Sequence, residues 1–171
     1  MQKIFEQVPG CYFHGLLVQP RGSDHQYYHV FIGANNRYGF AYLINDNTAA
    51  TALDSLKQFI KDVSKPGMKL TSDGESAFNS ELFTNYCSKH NIRVKIIPDK
   101  VHSSLGIVER FIRTLRDMNQ PANRSQDQQY SKEYIEFTAE KMQILINKYN
   151  NAYHNAIKCT PSEMFNEQNF Y

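Results

Sequence analysis

The chain is short of cysteine, of net charge and of long apolar runs, and each shortage closes off a class of protein. Three cysteines (Cys11, Cys87, Cys159) are scattered over 171 residues with no Cys-x-x-Cys pair. Neither a zinc knuckle nor a disulfide framework is expected, and free thiols in a reducing compartment are implied. A net charge of +2 is too small to establish a nucleic-acid partner, so any basic surface must be local. No apolar run approaches the length needed to cross a bilayer, and the first residues lack the apolar core of a signal peptide. An intracellular domain with no membrane association is expected. Asn123-Arg124-Ser125 matches a glycosylation acceptor but has no secretory context to support it. No internal repeat and no dividing linker is visible, which leaves one domain over 1–171 with its core at about 8–166.

Within these limits the chain is ordinary globular material, 41% hydrophobic and 21% charged. Its first third alternates aromatic and β-branched runs with turn clusters: 11–19, then 27–32, then 38–44, separated by Pro20-Arg21-Gly22-Ser23-Asp24 and Gly33-Ala34-Asn35-Asn36-Arg37. Three antiparallel strands follow from that pattern. Ala49, Ala52, Leu53, Leu56, Phe59, Ile60 and Val63 recur at helical spacing behind an Asn47 or Thr48 cap. A short strand at 68–72, a helix at 80–90 and a strand at 94–97 come next, then a polar loop at 99–104 and a helix. Residues 120–130 read as a polar connection, 132–153 as a long closing helix, and Pro161 as its stop. The order predicts an α/β fold: a five-stranded mixed sheet, three antiparallel strands then two parallel, flanked by helices on both faces. That is the ribonuclease H-like order.

Two carboxylates stand out against this layout. Asp73, in Thr71-Ser72-Asp73-Gly74-Glu75-Ser76-Ala77-Phe78, ends the fourth strand. Glu109, in Leu105-Gly106-Ile107-Val108-Glu109-Arg110-Phe111, lies in the first turn of the following helix, with residues 74–108 between them. Hard divalent cations take carboxylate oxygens, and a pair of such ions can activate a nucleophile and stabilise the leaving oxygen at a phosphodiester. Taken singly, an Asp before Gly is an ordinary turn residue, and a Glu in a first helical turn complements the macrodipole.

The segments around these residues resemble the catalytic core of retroviral and retrotransposon integrases, including the Maverick/Polinton and virophage type. The resemblance rests on 71–78, on His102 to Leu115, on Tyr149-Asn150-Asn151-Ala152-Tyr153-His154, on Thr160-Pro161-Ser162-Glu163, and on 30–41. It implies polynucleotidyl transfer on DNA by three carboxylates with two Mg²⁺ or Mn²⁺ ions, a homodimer, and action in the nucleus. Asp73 and Glu109 match two of the carboxylates. The third belongs on the first strand, and counting back from Tyr38-Gly39 places it at Leu16, with Gly15 and Leu17 as neighbouring options; none offers a side-chain ligand. Asp24 and Asp46 are the nearby carboxylates, and His14 a nearby nitrogen. Impaired catalysis is therefore expected, or a domesticated domain that binds DNA or protein without cutting. Arg110, Arg113 and Arg116 recur at i, i+3, i+6 and suit phosphate through their planar forks, with Lys95, Lys100 and His102 extending the patch. The loop at 99–104 resembles the family's mobile active-site loop, with Gly106 as its hinge.

Overall fold

A computed structural model describes residues 10–21, 24–64, 67–73, 77–98, 105–119 and 138–169. Five strands, β1 (Cys11–Arg21), β2 (Asp24–Gly33), β3 (Gly39–Ile44), β4 (Lys69–Asp73) and β5 (Arg93–Ile97), form one sheet in the order β3-β2-β1-β4-β5. The first three strands are antiparallel neighbours, and β4 and β5 run parallel to β1. This is the predicted ribonuclease H-like arrangement. The helices are α1 (Ala49–Val63), α2 (Glu81–Lys89), α3 (Gly106–Met118), α4 (Ala139–Asn150) and α5 (Pro161–Asn169).

The period-two alternation of the strands sorts their side chains into two cores. Tyr12, Phe31 and Leu70 face one side with Ala52, Leu56 and Phe59 of α1 and Phe83 of α2. Leu17, Tyr28, Val30, Ile32 and Ile97 face the other with Val108, Phe111 and Leu115 of α3 and Leu145 and Ile146 of α4. Thr48 caps α1: its hydroxyl accepts from the Thr51 amide, while the Thr51 hydroxyl accepts from the Thr48 amide. Ser64 ends that helix in the left-handed region (φ 51), its N–H donating to the Ile60 carbonyl.

Two contacts seat the α3–α4 layer on the sheet. Phe111 lies where a Gly39 Cβ would stand, 2.3 Å from its Cζ, so only glycine admits that ring. Beside it the buried Asn150 amide accepts from the Gly39 N–H (2.8 Å) and donates to the Gly39 carbonyl (2.9 Å).

The C-terminal region departs from the sequence expectation. Among the described residues the closing helix covers only 139–150, and Pro161 opens α5 instead of ending α4. A proline at the first helical position loses nothing, because its missing N–H would have no intrahelical partner. Thr160 and Glu163 close a capping box: the Glu163 carboxylate accepts from the Thr160 amide (2.8 Å) and the Thr160 hydroxyl from the Glu163 amide (3.2 Å). Phe165 then stacks on Tyr38 at 4.3 Å between centroids. The polar connection at 120–130 and the start of the expected closing helix lie outside the described residues.

Candidate functional site

Asp73 is the last residue of β4, half-buried at the carboxyl end of two parallel strands. Such strand ends open a crevice in α/β sheets where ligands gather. Its partner on β5 is Ile97, a member of the α3-side core, so the Asp73 side chain belongs to the α3 face. Ser72 points the opposite way, and its hydroxyl meets Nδ1 of the fully buried His14 at 2.9 Å. The Ser72 hydroxyl also lies 3.5 Å from an Asp73 carboxylate oxygen, at the outer limit of a hydrogen bond.

Glu109 is exposed in the first turn of α3, a helix whose N-cap, Leu105, contributes no side-chain hydrogen bond. An anionic side chain there is favoured by the helix dipole. Arg110, Arg113 and Arg116 are all exposed on the same helix. At 100° per residue they do not form one line. Arg113 and Arg116 fall at i+4 and i+7 from Glu109 and share its face. Arg110 is turned aside, where its charge bears on His154. The Arg116 guanidinium also donates to the Val18 carbonyl of β1 at 3.3 Å. Lys95 is exposed on β5. Lys100, His102 and the loop at 99–104 lie outside the described residues.

The strand geometry corrects the position inferred for the first carboxylate. Tyr12 pairs with Leu70 and Phe13 with Thr71. Counting on by two residues sets Gly15, not Leu16, level with Asp73, and the His14–Ser72 bond keeps the strands abreast at the step between. Alternation sends Leu16 to the α1 side with Tyr12 and His14, away from both carboxylates. Counting from a distant landmark misses this because a one-residue slip along a strand exchanges its faces.

Gly15 faces α3 directly. A Cβ built there would stand 2.9 Å from Val108 Cγ2 and 3.1 Å from Ile112 Cδ1, which lie side by side on the sheet-facing side of Glu109 in helical projection. Asp73, the bare backbone of Gly15 and Glu109 thus border one edge of the sheet.

The other nearby groups do not fill the gap. Asp24 pairs with Arg21 at the far end of the β1–β2 hairpin, six strand positions or about 20 Å from Gly15. The Asp46 carboxylate accepts from the Thr48 and Thr51 hydroxyls beyond β3, two strands away, and those bonds hold it below the usual carboxylate range. His14 is buried on the opposite face, where desolvation and the neighbouring His29 keep its pKa well below 6.5. Among the described residues no three His, Cys, Asp or Glu side chains gather as a metal cluster. Two carboxylates with an apolar seam between them do not fit a two-ion centre, which needs a bridging ligand.

The integrase core domain family matches residues 15–100, half of the chain, and the chain belongs to that family. The match takes in Gly15 and Asp73 and stops short of Glu109. Solved structures agree on the fold. A chain of the simian T-cell lymphotropic virus intasome, in complex with PP2A regulatory subunit B56 gamma, superposes with TM-score 0.74 at 16% identity. The alignment covers 92% of this chain and 55% of that one, so this chain spans about half its length. The HTLV-2 integrase catalytic core domain in complex with magnesium, in its trimeric form, gives 0.66 at 16% identity, over 93% of this chain and 98% of that. The catalytic core domain of BIV integrase gives 0.68 at 19%, over 94% and 95%. No curated protein matches the sequence.

Proposed function

We propose that this chain is an integrase-type core that binds DNA along α3 and is impaired in polynucleotidyl transfer. The observation that carries the proposal is Gly15. It stands level with Asp73, has no side chain to offer a cation, and has Val108 and Ile112 packed against it. Asp73 and Glu109 are then the remnant of a three-carboxylate site. They hold at most one Mg²⁺ or Mn²⁺, weakly, with water completing its shell. Arg113 and Arg116 meet DNA phosphates on the Glu109 face, with Lys95 of β5 adding charge and Lys100 and His102, close to it in sequence, assigned to the same patch. Arg110 contributes from the helix flank.

A domesticated domain that uses the same face for DNA or for a protein partner is the second reading, and the packed Gly15 seam favours it over a transferase that has merely lost its ion. The HTLV-2 integrase catalytic core domain is solved in dimeric and trimeric forms, and we extend a dimer to this chain. Action on nuclear DNA follows from the same reading. Among the described residues no helix is long and apolar enough to cross a membrane.

DNA binding is tested by fluorescence anisotropy on a short duplex across a salt series. The full chain should bind, and Arg113→Ala should reduce the slope of log affinity against log salt by about 0.9, one phosphate contact. Unchanged affinity and slope in both Arg113→Ala and Arg116→Ala would remove α3 from the interface.

A further inference from the structure

Away from the Asp73–Glu109 edge, two arginines and a histidine (Arg37, Arg110 and His154) gather where the β2–β3 turn meets the C-terminal end of α4. Arg37 sits in the left-handed region (φ 59), its N–H donating to the Gly33 carbonyl at 3.1 Å, which fixes the direction of its side chain. His154 is held by an antiparallel bridge to Cys159, its N–H donating to the Cys159 carbonyl at 3.0 Å. Nη1 of Arg37 and Nδ1 of His154 are both out of water, and neither has a hydrogen-bond partner. Burial first, and then the charges of Arg37 and Arg110, hold the His154 pKa below 6.5. Arg37 bears on Tyr149 as well, whose ring lies 6.4 Å from that of His154. A groove of about 290 Å³ opens beside His154, with Thr114, Lys148, Tyr149 and Tyr153 along its walls and no carboxylate among its lining residues.

A cluster of this composition is unfavourable by itself. The two arginines repel each other, buried nitrogens go unmatched, and among the described residues no carboxylate pairs with Arg37. Buried polar groups in folded proteins find hydrogen-bond partners, and these two nitrogens have none. We infer that Arg37, Arg110 and His154 form a phosphate site that takes a backbone phosphodiester of the bound nucleic acid. A phosphodiester offers the guanidinium fork its two non-bridging oxygens, and the remaining lone pairs of those oxygens accept from the imidazole N–H and from Arg110. The phosphodiester source is favoured over a free anion because Arg110 shares α3 with Arg113 and Arg116. The site therefore continues the proposed DNA track around the helix toward the β2–β3 turn. The inference rests on the DNA-binding reading above, and the test separates the two.

The full chain and the variants Arg37→Asn, Arg37→Lys, His154→Ala and Arg113→Ala are compared by anisotropy on one duplex between about 50 and 200 mM salt. Asparagine tolerates the left-handed backbone at 37, and a thermal melt checks that each variant folds. Arg37→Asn should weaken binding about 3–10-fold and lower the salt slope by about 0.9. Arg37→Lys should recover part of the loss, and His154→Ala should weaken binding without changing the slope. If Arg37→Asn does not fold, Arg37→Lys and His154→Ala decide: wild-type affinity in both overturns the site, and a loss in either supports it. Wild-type binding by all the Arg37 and His154 variants, with Arg113→Ala weakened, overturns this site and leaves the DNA reading intact. No loss in any variant, Arg113→Ala included, overturns both. In a second arm inorganic phosphate is titrated while the His154 ring resonances are followed. A shift there combined with unaltered duplex binding by the Arg37 variants would assign the site to a free anion and overturn the nucleic-acid source.

Discussion

Placing a carboxylate at Gly15 separates a lost ligand from a closed one. The position has ordinary backbone geometry and tolerates a side chain conformationally, so the cost lies in packing. A methyl group at 15 would press on Val108 Cγ2 at 2.9 Å and Ile112 Cδ1 at 3.1 Å, and one or both must give by several tenths of an ångström. Overpacking of this kind costs about 1–3 kcal/mol, offset by up to about 1 kcal/mol from stiffening the unfolded chain. Gly15→Ala should therefore lose about 1–2 kcal/mol in urea unfolding. Gly15→Asp adds a carboxylate between apolar groups and beside Asp73, and should lose about 2–4 kcal/mol in chelator. It also creates a metal-binding trio with Asp73 and Glu109, so Mn²⁺ should return part of the loss, about 2.7 kcal/mol at a hundredfold excess over its dissociation constant. Leu16→Asp lies on the α1 side and should destabilise without any response to Mn²⁺. Urea titrations of the four proteins, each with chelator and with Mn²⁺, supply the comparison. A Mn²⁺ response in Leu16→Asp but not in Gly15→Asp would refute the facing assigned to β1, and full stability of Gly15→Ala would refute the packed seam.

Other consequences concern the scaffold, its protonation and its association. Asn150→Ala removes both hydrogen bonds to Gly39 and strands a buried N–H and carbonyl, so unfolding should cost about 2–4 kcal/mol less; a loss under about 0.5 kcal/mol would show that water replaces the amide. Acid should destabilise the fold through His14 and His29, both kept neutral by burial, His29 with a pKa lowered to about 4. Their stabilising contribution is full above the unfolded value of 6.5 and is lost as pH falls, at about 1.4 kcal/mol per pH unit for each ring. Between pH 7 and 5 the pair should account for on the order of 3 kcal/mol; histidine ring resonances titrating normally near 6.5 would contradict this. Thr160→Ala should free α5 at a cost of about 1 kcal/mol, seen as faster amide exchange over 161–169 without loss of the sheet. Sedimentation velocity should show a dimer at high concentration, and monomer throughout would remove that part of the proposal.

The sheet was legible because its signals are local. Alternating runs at 11–19, 27–32 and 38–44 and the helical spacing of Ala52, Leu56, Phe59 and Val63 each follow from the period of one element. The α5 helix was legible in principle, since Thr160-Pro161-Ser162-Glu163 carries a cap, a first-turn proline and a capping-box glutamate, yet Pro161 reads as easily as a stop. What could not be read is what depends on neighbouring elements of the fold. Gly15 and Leu16 differ by one residue in sequence and by opposite faces in space, and only the β1–β4 register tells them apart. The arginines follow the same rule: a spacing of i, i+3, i+6 drifts around the helix and divides Arg110 from the pair beside Glu109. Arg37 and His154 have no shared sequence signal, because a turn and a post-helical bridge meet only in the folded chain.

The central claim is that the carboxylate pair is a remnant without the ligand that would complete it. A strand-transfer assay in Mn²⁺ with the full chain, alongside Asp73→Asn, tests this most directly. The account predicts no joined product from either protein while both still bind the duplex. Product formation by the unmodified chain that Asp73→Asn abolishes would contradict it.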